Sequence, residues 1–354
     1  MSEKFPTGTR RISPKKENYL ILKEQNWEED RILHDNVRSI LYQYKINGSE
    51  KFLLDSIDSN FYKGFLTPDI KPGGPRITNL PNGKKIARGG FSLFAKKLQF
   101  NMSDKEQWDV CYQNVSGLKT YLYSEDKIHL EQENKYRLVL EFEKNYKDIF
   151  RKLKKDILET HCLEHIALYV LLTTFMRVGC YYHYKHTSHK GLTTLQKKDI
   201  SIENGTVTFS FIGKGGVPQK IQKKYPLWFE KELEEKLEFR EDDDFVFANK
   251  FGVPFHSSVF SEILLNYTQE HFYPHIIRSH IADMICHKFI EENKNKQITK
   301  KDVQDLLFSI AKILGHKKFD KKENKWVLSS KVTQESYIYP PLLERIKAMA
   351  SSIE

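Results

Sequence analysis

The chain has 354 residues, 39% of them apolar and 29% charged, enough to build sizeable cores and too apolar for wholesale disorder. Lysine and arginine number 57 against 47 aspartates and glutamates, a formal charge of +10 that favours a polyanionic partner, nucleic acid or an anionic membrane surface. The bland alternative is a lysine-rich solvated surface.

The opening "MSEKFPTGTRRISPKK" has no apolar run, so no signal peptide is expected. Residues 1–50 are polar and read as an N-terminal extension holding at most a short helix. From 51 to 125 the texture changes. Short runs such as "FYKGFL", "GFSLFAKKLQF" and "LKTYLY" alternate with the turn signals "KPGGP", "LPNGK" and "NVSG". That pattern predicts a small antiparallel β-rich domain.

From 126 to 354 the apolar period becomes helical, beginning with "NKYRLVLEFEKNYKDIFRKLKKDILETHCLEH". "IALYVLLTTFMRVG" is the longest apolar stretch; it is too short to span a bilayer and reads as a buried helix. "TVTFSFIG", "KGG" and "VPQKIQKKY" read as a strand, a turn and a returning strand. "WFEKELEEKLEFREDDDF", "VFSEILLNYTQEHF", "IIRSHIADMICHKFIEEN" and "ITKKDVQDLLFSIAKILGH" read as four helices. "KKFDKKENK" (317–325) reads as a charged loop, and the tail "QESYIYPPLL" carries Tyr337 and Tyr339. Cys111, Cys162, Cys180 and Cys286 form no CxxC pair. They argue against a zinc site and a disulfide framework, and fit reduced thiols inside a cell.

Five groups stand at awkward places for purely structural residues. Arg177 ends an apolar helix, Lys214 tips the predicted hairpin, and Arg278 lies in "HIIRSH" after His275. His316 follows "ILG", and a tyrosine comes after it. Each has a plain explanation. Arg177 can pair with a glutamate, a lysine between glycines is ordinarily just exposed, and a histidine after Leu-Gly suits a helix C-terminus. Together they specify a chemistry. A phosphodiester attacked by a tyrosine hydroxyl gathers negative charge on its non-bridging oxygens. Two arginines can clamp those oxygens and a histidine can donate to one. A lysine can protonate the leaving oxygen, and the product is a covalent phosphotyrosine. The chain shows neither a carboxylate set of the two-metal kind nor a phosphate-binding Gly-rich loop, so no metal and no cofactor are expected.

"MRVGCYYHYKHTSHKGLTTLQKKDISIENGTVTFSFIGKGGV", followed by "LGH" and "SYIYP", resembles the type IB DNA topoisomerases of poxviruses, other large DNA viruses and bacteria, within the tyrosine recombinase superfamily. The resemblance implies an α+β fold, with a β-rich N-terminal domain and a mainly helical catalytic domain closing as a C-shaped clamp round double-stranded DNA. It implies Arg177 and Arg278 as the phosphate clamp, Lys214 as general acid, His316 as donor to the phosphate and Tyr337 as nucleophile. The implied reaction nicks one strand, lets it swivel and reseals it, without ATP or metal, in a monomer. DNA contacts, mostly to phosphate, are expected from Lys185, His186, Lys197, Lys198, Lys220, Lys223, Lys224 and His275, and from "RKLKK" at 151–155. The Lys/Asn-rich texture suggests an AT-rich genome such as that of a large virus. The expected location is intracellular: a virion or replication site if viral, a nucleus or nucleoid otherwise.

Two departures stand out. His316 and Tyr337 are 21 positions apart, further than in the family pattern, which places an insert at "KKFDKKENKWVL". "HIIR" also matches the His-x-x-Arg box of tyrosine recombinases, so a site-specific recombinase or integrase with the same residues is the alternative.

Overall fold

A computed structural model of the chain describes residues 5–32, 35–101 and 107–351. The chain divides into two compact units, Met1–Asn134 and Lys135–Glu354. The division falls inside a long helix. Together they make an α+β fold, with small antiparallel sheets early in the chain and helices dominating later.

In the first unit β1 (Arg10–Ile12), β2 (Asn18–Lys23) and β3 (Asn26–Ile32) are followed by α1 (Asp35–Ile46). β4 (Phe65–Leu66) and β5 (Pro72–Gly73) join the same antiparallel sheet, whose order is β3-β2-β1-β4-β5. β6 (Lys96–Phe100), β7 (Val110–Gln113) and β8 (Lys119–Leu122) form a second sheet with β7 central. The "NVSG" turn closes β7 onto β8, with Asn114 Oδ1 accepting from Leu118 N at 3.0 Å.

The described residues within 1–50 are not an appended extension. Ile12, Tyr19, Val37, Ile40, Leu41 and Tyr44 belong to the same core as Leu53, Tyr62, Ile77, Phe91 and Val110. The four core residues of α1 recur at i, i+3, i+4 and i+7, a helical stripe buried within polar text. Arg11 is also buried, paired with Asp55 and lying 4.3 Å from the Phe61 ring centroid. A mostly polar composition averages over both faces of an element and hides a single buried face.

α2 (Glu125–Thr160) crosses the division, and α3 (Leu163–Thr174) and α4 (Tyr181–Thr187) follow. β9 (Ile200–Glu203), β10 (Thr206–Gly213) and β11 (Val217–Lys224) form an antiparallel sheet with β10 central. Asn204 and Gly205, at φ +50° and +78°, supply the two left-handed residues of a tight β9–β10 hairpin. Then come α5 (Leu227–Glu238), α6 (Ser257–Thr268), α7 (Ile276–Glu292) and α8 (Lys300–Ile313). β12 (Lys317–Asp320), β13 (Lys325–Leu328), α9 (Lys331–Ser336) and α10 (Pro340–Ser351) complete the unit.

The 317–325 stretch, expected as a loop, is part of a β-hairpin in which Phe319 pairs with Trp326. Its lysines mask an alternation that places both aromatics on one face. No helix among the described residues is long and apolar enough to cross a membrane. All four cysteines are free.

The second unit has two cores. One gathers α3, the β9–β11 sheet, α5 and α6 around Phe142, Leu168, Phe209 and Phe260. The other gathers α7, α8 and α10 around Cys286, Ile310, Ile338 and Ile346. Phe175 packs against both, and the candidate site lies beside it.

Candidate active site

α3 is buried on nearly every side and ends at Phe175, whose φ of +55° is left-handed. An aromatic side chain there is uncommon. The bend lets Phe175 N donate to Leu171 O at 3.0 Å, closing the helix, and sends Met176 and Arg177 into a cleft. The "GLTTL" stretch fixes the loop that follows. Leu192 N donates to Arg177 O at 2.8 Å and Thr193 N to Val178 O at 2.7 Å. Gly191 and Thr194 lock each other, Gly191 N donating to Thr194 Oγ1 at 2.9 Å. Only glycine fits at 191. A Cβ there would stand 2.6 Å from Gly179 N and 2.7 Å from Arg177 O, both backbone atoms. The motif is therefore a buried clamp on the Arg177 loop.

Lys214 comes to the same cleft from the β10–β11 hairpin. Gly213 pairs with Val217, and Lys214-Gly215-Gly216 turns the chain with both glycines at φ +77°. Lys214 is exposed. Lys190 also lines the cleft, but Asp199 neutralises it at 2.6 Å and Gln196 binds it at 2.7 Å.

Arg278, 2% exposed, reaches the cleft from the first turn of α7. It donates to Phe175 O, to Leu314 O at 2.8 Å and to His316 Nε2 at 3.1 Å, while its buried Nε has no partner. Burial pulls the guanidinium down to about 10, and the Arg177 charge adds to this. No carboxylate among the described residues pairs with Arg177, Lys214 or Arg278, so three cations share one cleft with no protein counter-ion. Among the described residues, no glutamate pairs with Arg177 to explain it structurally.

His316 is buried between two partners. An arginine only donates, so Nε2 accepts from Arg278, and the ring proton sits on Nδ1, which donates to Thr333 Oγ1 at 2.8 Å. Burial, with Arg278 and Arg177 adding, holds the imidazole down to about 3, so it is neutral. Its one N–H faces Thr333 rather than the cleft. The phosphate donor expected at this position is thus, in this arrangement, an acceptor that orients Arg278.

Tyr337 ends α9 and is 3% exposed. Its ring centroid lies 5.0 Å from the Arg278 guanidinium carbon, 5.6 Å from Lys135 Nζ, 4.9 Å from the His316 ring and 5.1 Å from the His275 ring. Lys135 Nζ donates to Ser336 O and Tyr136 Oη to Ile338 O, each at 2.5 Å, fixing the segment from both sides of the tyrosine. Tyr339 differs. It is 38% exposed, packs its ring against Tyr136 in a tilted pair at 4.6 Å, and its N–H is held by Asp283 Oδ1 at 2.9 Å. The two tyrosines are therefore not equivalent: Tyr337 contacts Arg278 and His316, whereas Tyr339 is a packing residue.

The expected DNA contacts separate into four groups. Lys185 and His186 are exposed on α4, Lys185 lying 4.5 Å from the Tyr181 ring centroid, and His275 is exposed at the start of α7. On β11, Lys220 and Lys224 share an exposed face, while Lys223 points to the opposite side with Ile221. Lys197 and Lys198 are already engaged, Lys197 with Arg240 O at 2.6 Å and Lys198 with Asp243. Within "RKLKK", Arg151 pairs with Asp148 at 3.0 Å and Lys154 lies over Trp228.

Lys135, Asp283 and Thr333 were not marked by any motif. Thr333 had a faint signal, standing one turn before Tyr337 on the same helical face.

A family model described as the eukaryotic DNA topoisomerase I catalytic core matches residues 124–340, more than half of the chain. No curated protein matches it. Among solved structures it is similar to the XerH site-specific recombinase bound to palindromic difH substrate in a post-cleavage complex. That match has 18% identity and a TM-score of 0.34, covering 50% of this chain and 48% of that one. The pre-cleavage XerH complex matches at 16% identity and a TM-score of 0.32, covering 49% and 45%. The chain thus spans about half the length of these solved structures.

Proposed function

Because the chain belongs to the eukaryotic DNA topoisomerase I catalytic-core family, we propose that it is a type IB enzyme that relaxes supercoiled double-stranded DNA as a monomer. The observation that carries this is the set of three cations without counter-ions in one cleft, with Arg278 also in contact with a buried tyrosine. Such a cleft is built for an anion that arrives with the substrate.

In this reading the hydroxyl oxygen of Tyr337 attacks a backbone phosphorus. The bond from phosphorus to the 5′-oxygen breaks, that oxygen takes a proton from Lys214, and the tyrosine proton passes to water. Arg177 and Arg278 hold the non-bridging oxygens, and His316 keeps the Arg278 fork aimed. The 3′-phosphate stays on Tyr337 while the free end swivels, and reversal reseals the strand. The phosphotyrosine bond retains the energy of the broken one, so the cycle needs no ATP, and the cationic side chains supply the charge stabilisation.

The test is relaxation of a supercoiled plasmid in EDTA without ATP, with the covalent protein–DNA adduct trapped by SDS. Wild-type protein should relax the plasmid and give the adduct, and Tyr337→Phe should give neither. An adduct that survives Tyr337→Phe, or a requirement for ATP, overturns the reading. The His275-x-x-Arg278 spacing favours a second reading, a recombinase that acts only on paired specific sites. Relaxation of plasmids of unrelated sequence counts against it.

A further inference from the structure

The β12–β13 hairpin stands against the tip that carries Lys214. Lys317 Nζ, at its base, donates to Pro218 O of β11 at 2.8 Å. Trp326, half-buried, makes an edge contact with Phe319 at 5.5 Å and turns towards the Lys214 turn. A Cβ built on Gly216 would lie 4.0 Å from Trp326 Cζ2 and 3.9 Å from His189 Nε2. On the other side of the turn, a Cβ built on Gly215 would meet nothing within 4 Å beyond its chain neighbours. The tip therefore has one wall, made by Trp326 and His189.

Such a wall matters here because the turn is otherwise loose. Two consecutive left-handed glycines lose more conformational freedom on ordering than any other pair. A lysine adds a long side chain with its own rotamer freedom. A proton donor must nevertheless meet the leaving oxygen within hydrogen-bond reach.

We propose that the β12–β13 hairpin, through Trp326 and the Lys317–Pro218 contact, positions Lys214 for proton delivery to the leaving 5′-oxygen. Trp326 is a positioning residue: it faces the turn at Gly216, at about the distance where a methyl group there would meet it, and has no role on the phosphate. The inference rests on Lys214 being the proton donor, and its test separates the two ideas.

The measurement is single-turnover cleavage of two DNA strands, one with the ordinary 5′-oxygen at the scissile bond and one with a bridging 5′-sulfur. A thiolate leaves without a proton, so a defect in proton delivery disappears on the sulfur strand. Trp326→Ala should slow cleavage of the oxygen strand about 10-fold or more and leave the sulfur strand within about 2-fold, with DNA affinity unchanged. Trp326→Phe, which keeps an aromatic wall, should recover most of the rate. Lys317→Met should show the same selectivity with a smaller loss, and stands in if Trp326→Ala does not fold. Equal slowing of both strands by both hairpin variants overturns the proposal, since it marks general disruption. Lys214→Ala is the control. If it slows both strands equally, Lys214 is not the donor, and the inference falls with that reading. If Lys214→Ala is selective and the hairpin variants are not, only the inference falls.

Discussion

Arg177 leaves a helix buried nearly all round, and the buried Gly191–Thr194 segment bonds its loop at two backbone positions. Lys214 stands on an exposed turn of two left-handed glycines, one of them facing open space. Both side chains line the same cleft. The difference follows the work proposed for each. A clamp on phosphate oxygens gains by being fixed before the substrate arrives, since nothing need reorganise as charge builds. A proton donor must follow the leaving oxygen as it departs, and that favours an element with few buried contacts. Arg278 and Tyr337 fall on the fixed side with Arg177.

The largest expected effect breaks the loose side alone. Lys214→Ala should lower the cleavage rate by about 10²–10⁴-fold, the range of general acid catalysis. Its melting temperature should be unchanged, because an exposed side chain away from packed features contributes within about ±0.5 kcal/mol. A melting shift comparable with that of a core substitution would erase the contrast between the two sides.

On the fixed side, a pH experiment reads the packing around the tyrosine segment. Burial pushes the Asp283 carboxyl from an ordinary 3.8 up to about 7, against the pull of the Tyr339 N–H and the Lys135 charge. Unfolded chains lose this proton near 3.8 and the folded chain holds it to about 7. Between those values the folded state binds the extra proton, so this group's stabilisation is full at acid pH and is lost as pH rises towards 7. Asp283→Asn keeps an oxygen for the Tyr339 N–H and cannot ionise. It should be more stable than wild type at pH 8 by an amount on the order of 2–4 kcal/mol, with the gain gone near pH 4. Urea unfolding at the two pH values measures it, and a gain of equal size at both would deny the ionisation.

Much of this site was legible in the sequence, and the reasons are local. The apolar run of α3 and the alternation of β10 carry their own periods. Glycines mark the turns, so the places of Arg177 at a helix end and Lys214 at a hairpin tip follow from local pattern alone. The strands and helix of residues 1–50 were not legible, because the buried stripe of α1 (Val37, Ile40, Leu41 and Tyr44) is set in polar text and blurred by the exposed Tyr42 and Ile46. The hairpin at 317–328 was hidden by its lysines. Least legible was what surrounds Tyr337. Lys135 and Ser336 meet across 201 positions, and no local pattern announces such a contact. The tautomer of His316 depends on Arg278, 38 positions away. The sequence points to a histidine near phosphate, but only the packing shows which way its proton faces.

A smaller effect strikes the clamp itself. Gly191→Ala puts a methyl group against Gly179 N and Arg177 O, backbone atoms that cannot yield cheaply. Overpacking of this kind costs about 1–3 kcal/mol. Thermal melting should show that loss, and cleavage should slow because the Arg177 loop is displaced. Normal stability with normal cleavage would mean that the loop yields, and that the two sides of the cleft differ less than their packing says.

The smallest expected effect tests the histidine. Thr333 is fully buried, and its hydroxyl accepts the only proton His316 carries. Thr333→Val keeps the shape and removes the acceptor, at a cost of about 1 kcal/mol for the lost bond. The consequence reaches beyond stability. Without Thr333 the imidazole loses what holds its proton on Nδ1, and the tautomer with hydrogen on Nε2 would set N–H against the Arg278 N–H. The guanidinium would then give up its third partner and its aim. Cleavage by Thr333→Val should fall more than its stability does, whereas Thr333→Ser, which keeps the hydroxyl, should retain cleavage. Equal loss in the two variants would assign Thr333 to packing alone and remove His316 from the control of Arg278.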